Sequence, residues 1–349
     1  MNLKSLSIAT FNLFNLNEPG LPIYTDKDGW TPEQYARKID WTARQLRILE
    51  FPAYATFAQA FPNTVPYSEG IGFILNVDKD RRGMDTPFYV TAHETAHQWW
   101  AHQVIGADAA GSEMLSEALA DYTAGRILSK KLPVAGERRY LMQSVERYLR
   151  GRSSDRIGEN PLALCQHQQY IHYSKGTLIF TALSRRVGEE KLNSVIAEFA
   201  RKNALQKPPY CTGSDLVNLL KQRLPEQRAW IEDAFEKITL TDFKITDAGV
   251  KQSSDGLWET TVKLESRANY SDAKGQETDK PFAGDVKIAL TSASDKTEYI
   301  GDVIAMSTHK LSTGKQTLIL RSKTKPAAVV IDPLIEWLGR SMDDRVKTL

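Results

Sequence analysis

The sequence predicts an α+β fold that combines a short mixed sheet, a bundle of helices and a β-rich C-terminal region. Three patterns indicate this fold. Before about Pro87, segments such as GIGFILNVD are rich in aromatic and β-branched residues, as strands are. From there to residue 238, the apolar residues recur with the period of an α-helix. From residue 239 onward, apolar and charged residues alternate, as in LWETTVKLES, with the period of a strand.

These changes of pattern divide the chain into three predicted units. Residues 46–238 contain the extended segments and the helices. Residues 239–349, punctuated by turn sequences such as SSDG and STGK, predict an antiparallel β-sandwich. Residues 1–45 predict a strand and then a helix with Thr31 as its N-cap. We interpret this first unit as an orphan segment left by a fusion or truncation, joined near TARQLRIL.

The composition narrows the possible classes of function. The 349 residues include 45 basic and 43 acidic side chains, so the net charge of +2 gives no reason to expect nucleic-acid binding. Cys165 and Cys211 form neither a CxxC pair nor a disulfide framework. The sequence shows no signal-peptide cleavage site and no segment suited to spanning a membrane. We therefore expect a soluble chain, cytoplasmic as given, while its natural compartment and oligomeric state stay open.

The stretch VTAHETAHQWWAHQ contains the most informative motif. His93 and His97 are four residues apart, so a helix projects both imidazoles from one face. Two imidazoles at this spacing can bind one metal ion, and Glu94 can take a proton from water at that metal. The alternative is an amphipathic helix with histidines on its polar face. His102 is expected further around the same helix, where it cannot bind the same ion.

A catalytic zinc ion usually takes three protein ligands, so the motif needs a third. The helix predicted over SEMLSEALADY offers Glu117 as this ligand, with Glu113, one turn earlier, as the alternative. Asp121 is four residues after Glu117 and shares its face. It can accept the remaining ring N–H of a metal-binding histidine, which fixes the tautomer of that ring. The sequence therefore predicts one Zn²⁺ ion held by His93, His97 and Glu117, with Asp121 behind them.

HETAHQWW followed by LSEALADY resembles the gluzincin peptidases, and specifically the zinc aminopeptidases of the M1 family. VPYSEGIGFI, at 65–74, is similar to the GAMENWG segment of that family, and HYSKG, at 172–176, is similar to its YEKG motif. Over residues 46–349 the likeness is closest to the M1-like domains attached to ABC-2-type transporter permeases. The resemblance implies a thermolysin-like catalytic domain and zinc-dependent release of N-terminal residues from peptides. It also implies that related proteins carry a membrane permease part.

The resemblance assigns roles to two further residues. Glu69 corresponds to the carboxylate that binds the free α-amine of the substrate, although its neighbours Ser68 and Gly70 differ from the family motif. Tyr173 corresponds to the tyrosine that hydrogen-bonds the oxyanion, and Tyr170 is the competing tyrosine. One residue more than usual for the family separates His97 from Glu117.

Residues 1–45 are similar to the start of the endonuclease/exonuclease/phosphatase family, in which Asn12 would serve a metal and phosphate site. No stretch matches the terminal Ser-Asp-His of that family, and this unit is too short to hold its other motifs, so phosphoester or nuclease chemistry is a remote alternative. A second alternative is a zinc-containing peptide-binding or transporter-associated module with weak catalysis. We expect a metallo-aminopeptidase with Glu94 as general base and a peptide as its substrate.

Overall fold

The computed structural model describes residues 46–79, 84–294 and 300–349. The predicted strand and most of the predicted helix of residues 1–45, with Thr31 and Asn12, therefore lie outside the described residues. Among those described, no helix combines the length and the apolar character needed to cross a bilayer. The fold is mixed, with helices in the first two thirds of the described chain and antiparallel sheets in the last third.

Two short parallel strands open the described chain, with Arg47 paired to Thr64 and Phe51 paired to Ser68. They are β1 (Arg47–Phe51) and β2 (Thr64–Ser68). The extended structure predicted for GIGFILNVD is wrong. The Ser68 hydroxyl accepts a hydrogen bond from the Gly70 N–H at 3.2 Å and so caps a one-turn helix, α1 (Glu69–Gly72). A 3₁₀ turn, Val77–Lys79, follows.

Seven longer helices form the next part of the described chain, and the predicted helical periodicity is confirmed there. They are α2 (Thr86–Ala96), α3 (Leu119–Ser129), α4 (Val134–Ser154), α5 (Gly176–Val187), α6 (Glu189–Asn203), α7 (Gly213–Arg223) and α8 (Arg228–Phe235). The stretch predicted as one helix after Gly213 is interrupted at Pro225, because proline has no N–H for the helical hydrogen bond. Two π-helical turns, Met114–Ala118 and Tyr170–Lys175, lead directly into α3 and α5.

The C-terminal region contains two antiparallel sheets, as the alternating pattern predicts. Its strands are β3 (Ile238–Gln252), β4 (Trp258–Ser271), β5 (Glu277–Lys280), β6 (Ala283–Thr291), β7 (Val303–Ser312), β8 (Gly314–Ser322), β9 (Ala328–Ile331) and β10 (Val346–Thr348). In one sheet β4 pairs with β3, β5 and β8, and the other has the order β10-β9-β6-β7. Side chains from both sheets, including Phe243, Val262, Ile288 and Ile331, form one buried apolar cluster.

The helices and the C-terminal region are in direct contact. Leu338 and Met342 pack in the same apolar cluster as side chains of α4. The guanidinium of Arg138, which is 1% exposed, donates hydrogen bonds to the carbonyls of Asp332 and Pro333, each at 3.0 Å. A buried cation needs such partners, so this contact fixes the loop after β9 against α4. The division of the chain at residue 238 stays a prediction.

The start of α5 packs unusually close to the first π turn. A Cβ atom added at Gly176 would lie 2.5 Å from the Cβ of Ala118. Two non-bonded carbon atoms cannot come this close without a steric clash. Only glycine therefore allows α5 to approach the turn that carries Glu117.

We expect Gly176→Ala to lower the free energy of unfolding by about 1–3 kcal/mol, the usual cost of overpacking a core. The cause is the forced separation of α5 from Ala118. Urea denaturation monitored by circular dichroism measures the change. Gly249→Ala is the matched control, because a Cβ there meets nothing within 4 Å. Equal stabilities of the two variants would contradict the close approach.

Candidate metal centre

Helix α2 carries both histidines of the motif. It begins at Asp85, whose carboxylate accepts a hydrogen bond from the Phe88 N–H at 3.0 Å, and Pro87 lies in its first turn. It ends at His97, whose N–H still bonds the carbonyl of His93 at 3.2 Å. The four-residue spacing therefore lies within helical geometry, and the two imidazole Nε2 atoms are 3.0 Å apart.

The helix is shorter than the sequence predicted. The carbonyl of Trp100 lies 2.9 Å from Nδ1 of His97, and Ala101 has a φ of 93°, so the chain leaves the helical path there. His102 is therefore not on the same helix. Its Nε2 lies 3.2 Å from the Ala60 carbonyl, which places it against the loop between β1 and β2. We therefore still do not expect His102 to bind the same metal ion as His93 and His97.

The first π turn carries Glu117 to the histidines. A π turn closes over one residue more than an α turn, so side chains in it depart from the helical spacing that periodicity assumes. The Oε2 atom of Glu117 lies 3.5 Å from Nε2 of His93 and 3.3 Å from Nε2 of His97. Glu113, the alternative ligand, instead accepts hydrogen bonds from the N–H of His167.

The three ligand atoms fit a zinc ion. Ligands about 2.0–2.1 Å from a tetrahedral ion are separated from one another by about 3.3 Å. The observed separations among His93, His97 and Glu117 are 3.0, 3.3 and 3.5 Å. The Oε2 atom of Glu117 is buried without a hydrogen-bond partner, although a buried carboxylate oxygen normally has one. Two imidazoles and a carboxylate are also the donor set of catalytic zinc sites.

Asp121 supports His93 from behind. Its Oδ1 atom lies 2.8 Å from Nδ1 of His93 and accepts the hydroxyl hydrogen of Tyr89 at 2.6 Å. The hydroxyl of Thr177, on α5, donates to Oδ2 at 3.3 Å. A carboxylate at Nδ1 favours the tautomer that leaves the Nε2 lone pair free for a metal. Asp121 therefore lies where the sequence predicts a supporting carboxylate.

Sequence reasoning missed two groups that complete this support. Tyr89 precedes His93 by four residues, so the same-face argument that paired the histidines could have found it. The Trp100 carbonyl, which contacts Nδ1 of His97, could not be predicted from the sequence, because every residue has a backbone carbonyl whatever its type.

The charges of the centre favour a bound cation. Burial lowers the pKa of His93, but the nearby carboxylates of Asp121 and Glu117 outweigh it and raise that pKa to about 10. Burial alone would raise the pKa of Glu117, yet the two histidines lower it well below its usual range. In the metal-free protein, a proton on His93 therefore supplies the positive charge that the surrounding carboxylates require.

Glu94 is buried beside the ligands and is not one of them. Burial raises the pKa of its carboxyl, and the nearby His93 and His97 oppose that effect. A backbone hydrogen bond from Ala60 holds the carboxyl from the side of the β1–β2 loop. A carboxylate with a raised pKa next to a metal centre is a suitable general base.

The two candidate tyrosines lie in different surroundings. The ring of Tyr173 is 5.9 Å from that of His93, and its hydroxyl hydrogen-bonds Glu117. Burial, and after it the charge of Glu117, raises the Tyr173 pKa far above its usual value, so the hydroxyl stays a donor. Tyr170 instead donates to Asp155 at 2.7 Å. Only Tyr173 of the two contacts the ligand set.

Glu69 is the first residue of helix α1 and directly follows strand β2. Its Oε1 atom accepts a hydrogen bond from the N–H of Ala53 at 2.9 Å. Its role in amine recognition stays a prediction.

A cavity of about 800 Å³ opens beside Tyr173 and has Arg147 and Arg150 on its walls.

We expect zinc binding to release a proton at neutral pH. The raised pKa of His93, about 10 in the metal-free protein, means that the metal must displace the proton from the ring. Below that pKa, the apparent affinity should rise about tenfold per pH unit. Competition with a chelator across about pH 6 to 8 measures it, and calorimetry in two buffers counts the protons. An affinity that does not change with pH would contradict the geometry at His93.

We expect Asp121→Asn to weaken zinc binding about 10–100-fold, the usual cost of losing a carboxylate behind a metal-binding histidine. Zinc dissociation constants of the purified variants measure the effect. Asp247→Asn is the control, because Asp247 pairs with Lys263 at the surface, far from any ligand in sequence. If both variants bind zinc like the unaltered protein, Asp121 does not support the centre.

Comparisons with known proteins indicate the fold. No family model matches the chain, and no curated protein sequence matches it. The structure is similar to the crystal structure of Legionella pneumophila aminopeptidase A in complex with aspartic acid, with 14% identity and a TM-score of 0.50. That match covers 90% of this chain and 37% of the other.

Two crystal structures of an M1 zinc metallopeptidase from Deinococcus radiodurans match less closely. One is a point mutant bound to a Tyr-Ser-Ala substrate, with 18% identity, 59% of this chain and 45% of that chain covered, and a TM-score of 0.40. The other is the protein without that mutation, with 18% identity, 58% and 43% covered, and a TM-score of 0.40. The comparison of folds therefore rests on the Legionella enzyme. The chain has a mixed α/β fold like that of an aminopeptidase, and it spans 37% of that enzyme's length.

Proposed function

We propose that the protein is a zinc-dependent peptidase that releases N-terminal residues from peptides. One observation carries the proposal. Nε2 of His93, Nε2 of His97 and Oε2 of Glu117 converge with separations of 3.0–3.5 Å, and the buried Glu94 lies between the two histidines in sequence. The aminopeptidase-like fold agrees with this proposal.

His93, His97 and Glu117 would hold one zinc ion. When bound, zinc supplies a Lewis acid that polarises the scissile carbonyl and lowers the pKa of a water ligand towards about 7. Asp121 and the Trp100 carbonyl keep the rings of His93 and His97 in place. Little reorganisation is then needed when the ion binds, because the ligand atoms already have tetrahedral separations.

Glu94 takes the proton from the attacking water and then delivers it to the leaving amine. Burial raises its pKa, which favours acceptance of the proton from water. Tyr173 donates its hydroxyl hydrogen to the oxyanion that develops at the carbonyl. In the substrate-free protein the same hydroxyl bonds Glu117, so the donor is already directed into the centre.

Glu69 binds the α-ammonium group of the substrate by a charge-assisted hydrogen bond. In this proposal the N-terminus of the peptide stops at Glu69, which directly follows β2. The cavity beside Tyr173 has a volume in the usual range for ligand sites and provides room for the following residues. This amine recognition is what makes the proposed enzyme an aminopeptidase rather than an endopeptidase.

The alternative is a zinc-containing peptide-binding module, such as one attached to a transporter permease. The chain covers 37% of the length of the aminopeptidase it resembles, so peptide turnover by this chain is a proposal that only an activity assay tests. The two functions share the metal centre and differ in turnover.

We expect Glu94→Gln to lower peptidase activity about 10²–10⁴-fold and to leave zinc content unchanged, because Glu94 moves protons and does not bind the metal. Fluorogenic aminoacyl substrates and metal analysis measure both quantities. Glu198→Gln is the control, since Glu198 pairs with Arg223 at the surface.

Two results would decide against parts of the proposal. Zinc binding with no turnover of any aminoacyl substrate would favour the peptide-binding module. Equal hydrolysis of peptides with free and with acetylated N-termini would remove the role of Glu69 and leave an endopeptidase.

A further inference from the structure

A second group of metal-binding side chains lies outside the centre described above. Glu113, Cys165 and His172 each offer a ligand atom, and these atoms lie within 4.8 Å of one another. The cluster is largely enclosed, because Cys165 is 0% and His172 is 4% exposed. None of the three contributes to the candidate zinc centre of His93, His97 and Glu117.

The cluster contains a buried nitrogen without a partner. Nδ1 of His172 makes no hydrogen bond, and Oε2 of Glu113 is 3.8 Å away from it. That distance is too long for a hydrogen bond. Leaving a buried polar atom unpaired costs about 1–3 kcal/mol, so a ligand that satisfies it is favoured.

The carboxylate of Glu113 is held in place at this site. Both of its oxygens accept the N–H of His167, at 3.0 and 2.8 Å, and the ring Nδ1 of His167 lies 3.0 Å from Oε1. His167 has a φ of 56°, a left-handed conformation that is unusual for a residue with a side chain. Such strain is concentrated at functional sites. The exposed ring of His167 lies at the open side of the cluster.

We propose that Glu113, Cys165 and His172 form a second zinc site, with the fourth position taken by His167 or by water. A thiolate, an imidazole and a carboxylate are ligands that together select zinc. A tetrahedral ion would separate these atoms by about 3.3–3.6 Å, so atoms that are now up to 4.8 Å apart approach one another by at most about 1.5 Å on binding. The ion replaces the proton of the Cys165 thiol, which leaves to solvent.

The position of this site indicates what it does. Glu113 is the residue before the first π turn, and His172 lies inside the second. These two turns carry Glu117 and Tyr173. An ion bound by both would join the turns and hold them at a fixed distance, so this zinc has a structural role.

Cobalt substitution tests the proposal on the full chain. A thiolate bound to Co²⁺ gives a near-ultraviolet charge-transfer band, and the centre of His93, His97 and Glu117 contains no sulfur. We expect the metal-free protein to take up two Co²⁺ ions and to show this band. Cys165→Ser should remove the band and one ion. Cys211→Ser, which alters the other buried cysteine, should keep both.

The outcome is separable from that of the peptidase proposal. His97→Ala should abolish the ion at the first centre and keep the thiolate band. Binding of a single Co²⁺ ion by the unaltered protein without the band, or a band that survives Cys165→Ser, overturns the second site. If Cys165→Ser does not fold, Glu113→Gln replaces it and should weaken the band-forming ion at least about tenfold.

Discussion

The buried carboxylate of Asp121 is the interaction on which the arrangement of the helices around the candidate metal centre depends. It lies on α3, yet it contacts Tyr89 and His93 of α2 and Thr177 of α5. A carboxylate that is 3% exposed is costly to bury unless its oxygens are hydrogen-bonded. The three helices can therefore pack only in positions that bring these donors together. That same packing directs Nε2 of His93 at Glu117.

The two π turns place the chemistry that Asp121 supports. Glu117 lies in one and Tyr173 in the other, and each turn runs directly into the helix that follows it. Single π turns inside α-helices are rare and are frequent at functional sites, because they reorient a side chain without ending the helix. The contact of Gly176 with Ala118 brings the two turns within hydrogen-bonding distance, so the Tyr173 hydroxyl reaches Glu117.

The C-terminal region supports the centre through its contacts with the helices. Arg138 fixes α4 to the loop after β9, and Leu338 and Met342 pack into the same cluster as α4. The C-terminal part of α4 forms a wall of the cavity beside Tyr173. This path explains why a β-rich region with no proposed catalytic residue is packed so firmly against the helices.

Same-face spacing on a helix is a local property, so the residues of the candidate metal centre could be predicted from the sequence, with Glu113 left open as the alternative to Glu117. His93 with His97, and Glu117 with Asp121, followed from it, as did the helices and the strands of the C-terminal region. Other features depend on tertiary contacts and could not be predicted from the spacing of residues within one segment. The tertiary structure ended α2 at His97, turned GIGFILNVD into helical turns, distinguished Tyr173 from Tyr170, and gathered Glu113, Cys165 and His172. The physical reason is that π turns, caps and left-handed residues depend on contacts between distant segments, and periodicity within one segment contains no information about them.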